Sequence, residues 1–339
     1  MKAYELQKTG STDQWVQVQR PEPKPGPGQA LIRIRAVSLN YRDLLILRRS
    51  YGATSGRPII PVSDGAGEVV AVGAVGAGVT RVKPGDRVAP TFFQNWTAGE
   101  VAREQLKALG AGDIDGVLAE YVVTDAEALV HLPEHLSFEE GATLPCAAVT
   151  SWNALVTQGG LQAGQTVLAQ GTGGVSIFAL QFAHALGARV IITSSQDEKL
   201  ERARSLGAHD TLNYKKHPAW EEKVLELTGG QGVDYVIEVG GEKTLPQSIR
   251  AARPGGHIYL IGLLTGGFGR PTPEQTEPKK LQVQPIYVGS RVMFEDMNRA
   301  ITQHQLKPII DRTFPFEQAR EALQHLEAGA HFGKVVITV

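Results

Sequence analysis

Apolar and polar positions alternate over short stretches in the first third of this 339-residue chain, and Gly and Pro separate the stretches. Such alternation is typical of β-strands that bury one face. It predicts strands at residues 2–6, 30–39, 68–72 and 119–124. The first third therefore indicates a β-rich domain with the character of a partly open barrel.

The pattern changes near Leu132, helical stretches appear from about Phe138, and from Thr166 apolar runs alternate regularly with helical stretches. It predicts strands at 166–169, 189–193, 211–213, 233–239, 257–262 and 285–289, with helices at 175–186, 197–206, 219–228 and 244–252. Apolar strands joined by helices indicate a doubly wound parallel sheet with helices on both faces. A helix at 291–303 and a strand at 334–339 return to the first style, and the fold class is α/β.

A glycine-rich turn, Gly171-Thr172-Gly173-Gly174-Val175-Ser176, joins the first strand of the second series to its first helix. Glycines at such a turn let backbone N–H groups approach a pyrophosphate at the positive end of the helix. The turn therefore predicts a dinucleotide site. Ser176 stands where the fingerprint has its last glycine, which implies slightly looser packing of the helix on the strand.

The end of the second strand in this series indicates which dinucleotide binds. NAD sites commonly carry an acid there for the ribose hydroxyls, but residues 193–196 read TSSQ. Asp197 and Glu198 come later and fit the first turn of the next helix, where they complement its dipole. The two small serines leave room for a 2′-phosphate, and Lys199 supplies a positive charge to bind it. This combination favours NADP(H) over NAD(H). Taken alone, Lys199 is equally well read as a solvated helix lysine.

Composition excludes several classes of protein. The 34 basic residues nearly balance the 35 acidic ones, so the chain lacks the charge of a nucleic-acid binder. It has no apolar run long enough to span a membrane and no signal-peptide pattern at its start, so we expect a cytoplasmic protein without a membrane partner. Its single cysteine, Cys146, excludes an internal disulfide and a multi-thiolate metal site.

Several further motifs carry a family resemblance. They are SLNYRD (38–43), DGAGEVV (64–70), KPGDRV (83–88), LPC (144–146), TSWNAL (150–155) and VGSR (288–291). With the glycine turn, they resemble the medium-chain dehydrogenase/reductase superfamily and, within it, the zinc-free quinone oxidoreductase branch. The resemblance implies a GroES-like catalytic domain at 1–125, completed by 292–339, a Rossmann cofactor domain at 126–291, and a homodimer.

The predicted cofactor contacts combine the glycine turn and the 2′-phosphate region with residues that the resemblance adds. Tyr214 is implied beside the 2′-phosphate, and four residues are implied at the nicotinamide end. The full set is Thr150, Gly171, Thr172, Gly173, Gly174, Val175, Ser194, Ser195, Lys199, Tyr214, Gly240, Gly262, Ser290 and Arg291.

Zinc-dependent members of the superfamily place metal ligands at three points. Here those points read Asn40, Ser63-Asp64 and Cys146, which leaves one good ligand where a catalytic zinc ion needs three. The four-cysteine lobe that holds a structural zinc ion would fall near residues 92–115, which contain no cysteine. We therefore predict no zinc site.

The lack of zinc ligands in the sequence favours hydride acceptors that need less activation than a simple ketone. A Lewis acid stabilises the charge that develops on the oxygen of a simple ketone or alcohol, whereas quinones and enones spread the charge over a π system. Asn40 is the candidate donor to the carbonyl oxygen, and Tyr41 or Tyr51 is a further donor or a stacking partner. Asp64 is a further candidate catalytic residue. For Asp43 and Asp64, orienting neighbours or capping a turn is favoured over a direct role as a proton donor.

The predicted reaction is metal-free hydride transfer from NADPH to a quinone or an α,β-unsaturated carbonyl. Two alternatives stay open. One is a zinc-independent alcohol dehydrogenase of the same branch, and the other is a nucleotide-binding protein with vestigial catalysis.

Overall fold

The computed structural model describes residues 1–48, 57–73 and 78–339, and the chain divides into two compact units. Unit 1 comprises Met1–Val149 and Gly289–Val339, and unit 2 comprises Thr150–Val288. Unit 1 is thus built from both ends of the chain.

Strands predominate in the first part of unit 1, as the alternating pattern predicts. The elements are β1 (Lys2–Leu6), β2 (Trp15–Gln19), β3 (Gln29–Leu39), α1 (Tyr41–Leu47), β4 (Asp64–Val72), β5 (Arg87–Pro90), β6 (Tyr121–Asp125), β7 (Leu129–His131) and α2 (Phe138–Ala142). β1 and β2 form a separate antiparallel pair. β3 pairs antiparallel with both β4 and β6, which makes it central to the larger sheet.

Unit 2 alternates strands and helices. After α3 (Val149–Trp152), which crosses the unit boundary, it contains β8 (Thr166–Gln170), α4 (Gly174–Ala185), β9 (Arg189–Ser194), α5 (Asp197–Ser205), β10 (Asp210–Asn213), α6 (Trp220–Leu227), β11 (Val233–Glu238), α7 (Leu245–Ala251), β12 (Ala252–Leu260), α8 (Pro273–Thr276) and β13 (Gln282–Pro285). These strands form a parallel sheet in the order β10-β9-β8-β11-β12-β13. This is the order of a doubly wound dinucleotide-binding sheet and confirms the predicted fold class.

The prediction for the sixth parallel strand was wrong by three residues at its start and four at its end. The pattern predicts residues 285–289, but β13 ends at Pro285, and its four residues pair in parallel with β12. Val288 has a φ of 43°, a left-handed conformation that takes the chain out of the extended form. The apolar residues after Pro285 therefore belong to the segment that leads out of unit 2.

The C-terminal part completes unit 1 with α9 (Arg291–Gln303), β14 (Ile310–Pro315), α10 (Ala319–Glu327) and β15 (Lys334–Thr338). β15 pairs antiparallel with β3 and parallel with β14, which gives the sheet order β14-β15-β3-β4-β5-β7 with β6 on β3. Val335 pairs with Leu39, and Ser38 pairs with Asp64. This register brings the end of β3 beside the first residues of β4 and β15.

Each unit has its own apolar core. Trp15, Ile32 and Leu129 lie fully buried in unit 1, while Leu168 and Ile191 lie fully buried in the parallel sheet of unit 2. Across the described ranges, no helix combines the length and apolar character that crossing a bilayer requires.

Candidate functional site

Three neighbouring strand ends in unit 1 bring polar side chains into a buried cluster. Asn40 follows β3, Asp64 begins β4, and Lys334 begins β15. Their side chains are more than nine-tenths buried. Buried charged groups are costly unless they are paired or hydrogen-bonded, so the contacts in this cluster determine what it can do.

Lys334 fixes the orientation of the Asn40 amide. Its Nζ donates to Asn40 Oδ1 at 2.5 Å and to the Leu39 carbonyl at 2.6 Å. An ammonium group has donors and no acceptor, so the atom facing it must be the amide oxygen. Asn40 Nδ2 consequently points elsewhere, and it has no hydrogen-bond partner within the part of the chain that the structure describes.

Asp64 is held by two donors from unit 1. Its Oδ1 accepts from the Ser63 hydroxyl at 2.7 Å, and its Oδ2 accepts from the Cys146 backbone N–H at 3.0 Å. Burial raises its pKa, and the Lys334 charge acts in the opposite direction. The Asn40 side chain also acts to lower the pKa of Asp64, although Asn40 Nδ2 lies outside hydrogen-bond geometry with the Asp64 carboxylate.

Asp43 holds the backbone of Asn40, as the expectation of a turn-capping role predicts. Its Oδ2 accepts from the Asn40 N–H at 2.8 Å, while its buried Oδ1 has no partner among the described residues. Burial raises the pKa of Asp43 to about 6 against the opposing charge of Arg42, and the charge of Asp64 adds to the rise. Asp43 is therefore a buried carboxyl group that titrates near neutrality.

The other predicted catalytic residues fall in different surroundings. Tyr41 is the first residue of α1, and its side chain hydrogen-bonds Arg48, which forms an ion pair with Glu327. Tyr51 lies outside the described residues. Burial raises the pKa of the Cys146 thiol, and the nearby Asp64 charge adds to this effect. Cys146 is thus a protonated thiol rather than a nucleophile at neutral pH.

In unit 2, the glycine turn has the shape that the sequence predicts. Gly171 has a φ of 69°, which favours glycine, and Gly173 precedes α4 as its N-cap. A Cβ added at either glycine would meet no atom within 4 Å, so the turn borders open space. Thr172 is buried, and Gly174 and Val175 form the first residues of the helix.

Ser176 ties the helix to the strand instead of loosening their packing. Its hydroxyl donates to the Gln170 carbonyl at 2.5 Å, and the side chain is almost completely buried. The expectation of looser packing at this position was therefore wrong, because the serine hydroxyl bonds a carbonyl at the end of β8.

The predicted 2′-phosphate residues lie around the adjacent ends of β9 and β10. Ser194 pairs with Asn213, so Ser195 and Tyr214 each follow one of two neighbouring strands. Tyr214 is 41% exposed, whereas Lys199 is 9% exposed. That burial excludes the interpretation of Lys199 as a solvated helix lysine.

The Asp197 carboxylate is bonded to neighbouring side chains of this chain instead of serving a ribose. Its carboxylate accepts from Asn213 Nδ2 at 2.7 Å and pairs with Lys216 at 2.5 Å. The Lys216 hydrogen bond, followed by that of Asn213, lowers the pKa of Asp197. This acid is thus engaged in linking α5 to the segment after β10.

Glu238 organises the carboxyl edge of the parallel sheet. Its fully buried carboxylate accepts from Gln170 Nε2 at 2.8 Å, from Thr244 Oγ1 at 2.6 Å and from Ser248 Oγ. It also accepts from the backbone N–H groups of Gly240 at 2.8 Å and Gly241 at 3.0 Å. Five donors thus converge on one carboxylate and fix the loop after β11.

Two predicted nicotinamide residues, Gly240 and Gly262, lie at this edge. Gly262 donates to the Glu238 carbonyl at 3.2 Å, and a Cβ there would lie 2.1 Å from the Val239 carbonyl oxygen. Only glycine fits such an approach. Thr150, the first residue of unit 2, is buried.

Ser290 and Arg291 belong to unit 1, where both have structural partners. Ser290 caps α9 through a hydrogen bond from Met293 N to its Oγ. Arg291 pairs with Glu127. Their predicted role at the nicotinamide end stays a prediction.

Comparison with known proteins gives the class first. The family model described as an alcohol dehydrogenase GroES-like domain matches residues 26–134, and the one described as a zinc-binding dehydrogenase matches residues 174–303. The chain is therefore an oxidoreductase with a GroES-like domain and a Rossmann-like sheet. It belongs to the medium-chain dehydrogenase/reductase superfamily, as the resemblance implies.

Individual relatives carry different activities in their names. A zinc-type alcohol dehydrogenase-like protein of Schizosaccharomyces pombe is 45% identical over 317 residues, which span 92% of this chain and 91% of the relative. An NAD-dependent alcohol dehydrogenase structure is 32% identical, with a TM-score of 0.89 and full coverage of both chains. A quinone oxidoreductase of Pseudomonas syringae is 26% identical, with a TM-score of 0.84 and coverage of 100% of this chain and 99% of its own. The substrate therefore has to be argued from the residues of this chain.

The unit 1 cluster does not fit a catalytic zinc ion. Both Asp64 oxygens already accept hydrogen bonds, and the Lys334 ammonium lies against Asn40 Oδ1. A divalent cation prefers thiolate, imidazole and carboxylate ligands and is repelled by an ammonium group. Over the described ranges, no group of three His, Cys, Asp or Glu side chains is arranged to hold a metal.

Sequence reasoning missed Lys334 and Glu238. Each gave a weak signal, because each is a charged residue at one end of an apolar strand, in KVVIT and in VDYVIE. Finding their partners requires the pairing of β15 with β3 and of β11 with β8, which link residues far apart in the chain.

Proposed function

We propose that this chain is an NADPH-dependent reductase of quinones and α,β-unsaturated carbonyls that works without a metal ion. The observation that carries the proposal is the Asn40 amide in unit 1. Its oxygen is fixed by Lys334, and its Nδ2 is buried without a hydrogen-bond partner in the described part of the chain. A buried donor without an acceptor is costly in a native fold and is common at functional sites.

Asn40 Nδ2 supplies what a conjugated acceptor needs. When bound, reduced nicotinamide supplies a hydride. Its addition to the β-carbon of an enone would place negative charge on the carbonyl oxygen, and a proton from solvent would complete the reduction. A preorganised amide donor stabilises such an oxygen, and loss of one oxyanion donor typically costs about 10²–10³ in turnover. Asp43 keeps this donor in place by holding the Asn40 backbone N–H.

The class of substrate that this site can reduce follows from the groups that the cluster offers to stabilise negative charge on the substrate oxygen. Hydride addition to a simple ketone leaves the full charge on one oxygen, for which related chemistry uses a Lewis acid. The cluster offers an amide and an ammonium group instead of a set of metal ligands. Quinones and enones delocalise the incoming charge and are therefore the better substrates for this site.

The cofactor preference rests on unit 2. Open space at Gly171 and Gly173 leaves room for a pyrophosphate. Asp197 is already bonded to Lys216 and Asn213, so it does not serve as the ribose acid of an NAD site. Lys199 and the exposed Tyr214 ring complete a region suited to a 2′-phosphate. Solved relatives include an NAD-dependent enzyme and a protein in complex with NADPH.

A substrate panel tests the proposal. Purified protein is assayed with NADPH and NADH against quinones, enones, saturated ketones and secondary alcohols, after its metal content has been measured. We expect NADPH oxidation with the conjugated acceptors at rates at least about tenfold above those with saturated ketones. Equal rates with matched saturated and unsaturated ketones contradict the choice of acceptor.

A zinc-independent alcohol dehydrogenase is the second candidate. The alcohol dehydrogenase part of the Schizosaccharomyces pombe relative's name favours alcohols as substrates, whereas its zinc-type part does not support metal-free catalysis. Reduction of NADP⁺ by secondary alcohols in metal-free buffer, with no enone reduction, supports this candidate. Tight NADPH binding with no turnover of any compound in the panel supports a nucleotide-binding protein instead.

A further inference from the structure

Lys334 is a buried cation that the family resemblance does not assign to the site. It is 3% exposed and begins β15, the strand that the C-terminal part of the chain adds to the unit 1 sheet. The antiparallel register of Val335 with Leu39 places Lys334 next to Asn40. Lys334 thus places a positive charge beside the C-terminal end of β3.

The contacts of Lys334 are directed at the proposed donor. Nζ bonds the Leu39 carbonyl and Asn40 Oδ1, which are the backbone group before the donor residue and the oxygen of its side chain. The titratable groups that face the ammonium are Asp64, Cys146 and Asp43. All of them belong to unit 1, so the whole arrangement lies within one compact unit.

A lysine that only joined β15 to β3 would not need the Asn40 side chain. The Leu39 carbonyl would serve for that purpose, and strand pairing already joins the two segments. The bond to Oδ1 has a separate consequence, because it leaves the amide a single orientation, with the buried Nδ2 as the donor that faces away from Lys334. The same bond places the Lys334 charge on one side of the Asn40 amide group, with the substrate carbonyl oxygen that Nδ2 would bind on the other side.

We propose that Lys334 is a positioning residue that orients the Asn40 amide and adds positive charge behind it. The inference rests on the proposed function, since it gives Asn40 its direction as the donor to the acceptor oxygen. In this arrangement the ammonium contributes, through the amide, part of the electrostatic stabilisation that a metal ion contributes in zinc-dependent relatives.

Three substitutions separate orientation from charge. Lys334→Arg keeps both a donor and a charge, Lys334→Gln keeps a donor without the charge, and Lys334→Met removes both. We expect kcat for an enone to fall in the order wild type, Arg, Gln, Met, with a loss of about tenfold or more for Met. The Kd for NADPH should stay within about twofold of wild type, because the cofactor turn belongs to unit 2.

Lys279 offers a matched control. It also uses its ammonium group to bond backbone carbonyls, those of Ile249, Arg250 and Ala252, all of which belong to unit 2. Lys279→Met should lower the melting temperature while kcat stays within about twofold of wild type. If Lys334→Met and Lys279→Met lose stability alike and neither changes kcat, Lys334 is a structural lysine and the inference is overturned.

A readout independent of turnover separates this inference from the proposed function. In ¹⁵N-labelled protein, the Asn40 side-chain amide signals, assigned with Asn40→Asp, should shift in Lys334→Gln and shift further in Lys334→Met. Unchanged signals overturn the positioning role even if the wild-type enzyme reduces enones. If the signals shift but no acceptor is reduced, the proposed function fails while the placement of Lys334 stands. Should Lys334→Met not fold, the comparison of Arg with Gln decides both readouts.

Discussion

Two fully buried carboxylates, Asp64 in unit 1 and Glu238 in unit 2, are stabilised in different ways. Glu238 receives five hydrogen bonds, and none of the side-chain groups that donate to it is left without a partner in the described residues. Within the described ranges, Asp64 receives two, shares its surroundings with the Lys334 charge, and lies beside an amide whose Nδ2 has no hydrogen-bond partner. A completed network makes a loop rigid, whereas an incomplete one keeps a group available for a ligand.

This contrast separates the tasks of the two units. Unit 2 uses its buried charge to fix backbone around the predicted dinucleotide site. Unit 1 retains, in its described part, one amide donor without a hydrogen-bond partner, Asn40 Nδ2, which we assign to the substrate.

The largest effect is expected at Glu238. Glu238→Ala leaves five donors without their acceptor, so the free energy of unfolding should fall by about 3 kcal/mol or more in urea titrations. Glu221→Ala is the control, because Glu221 pairs with Arg250, a side chain that is 56% exposed and loses little when its partner is removed. A loss at Glu238 no larger than that at Glu221 would show that the network is not structural.

Asn40→Ala should lower turnover, and loss of the Lys334 bond should also lower stability. We expect kcat for an enone to fall by about 10²-fold, the usual effect of losing an oxyanion donor, while the Kd for NADPH stays unchanged. Asn298→Ala is the matched control, because Asn298 has the same exposure as Asn40 but donates to the His131 carbonyl. Similar kcat values for the two variants would remove Asn40 from the mechanism.

Lys199→Ala tests the cofactor side of the contrast. Loss of a charge-assisted contact with the 2′-phosphate should raise the Kd for NADPH about tenfold and leave the Kd for NADH nearly unchanged. Lys223→Ala, which removes a lysine from an exposed pair with Glu226, controls for the loss of one positive charge. Equal weakening of NADPH and NADH binding would contradict a 2′-phosphate contact.

The smallest effect concerns the pH dependence of stability. Because the pKa of Asp43 is about 6 in the folded protein and near 3.8 when unfolded, the folded state binds its proton more tightly. The stability from this group is complete below pH 3.8 and is lost as pH rises through 6, which amounts to about 1 kcal/mol between pH 5 and 7. Urea titrations should show that Asp43→Asn removes this part of the slope. An identical slope in the variant would mean that Asp43 has no raised pKa.

Local patterns predicted most of the fold. The period of the apolar residues identified the six parallel strands, and the glycine turn identified the start of α4. The sixth strand was misplaced because the apolar residues after Pro285 continue past the point where the chain leaves the extended form. Serine at position 176 was misread because its hydrogen bond to the Gln170 carbonyl depends on three-dimensional proximity.

The candidate site was less accessible to sequence reasoning. Asn40, Asp43 and Asp64 were found because they belong to recognisable motifs near strand ends. Lys334 lies 294 positions from Asn40, and only the register of β15 on β3 brings the two together. Charged residues at the ends of apolar strands, such as Lys334 and Glu238, are the signal that would direct attention to such networks.

The most direct test of metal-free catalysis is enone reduction with NADPH after exhaustive chelation, with the zinc content measured on the same sample. The account predicts that the rate after chelation equals the rate before it, with well below one zinc ion per chain. Loss of activity on chelation, with recovery when one equivalent of zinc is added, would contradict it.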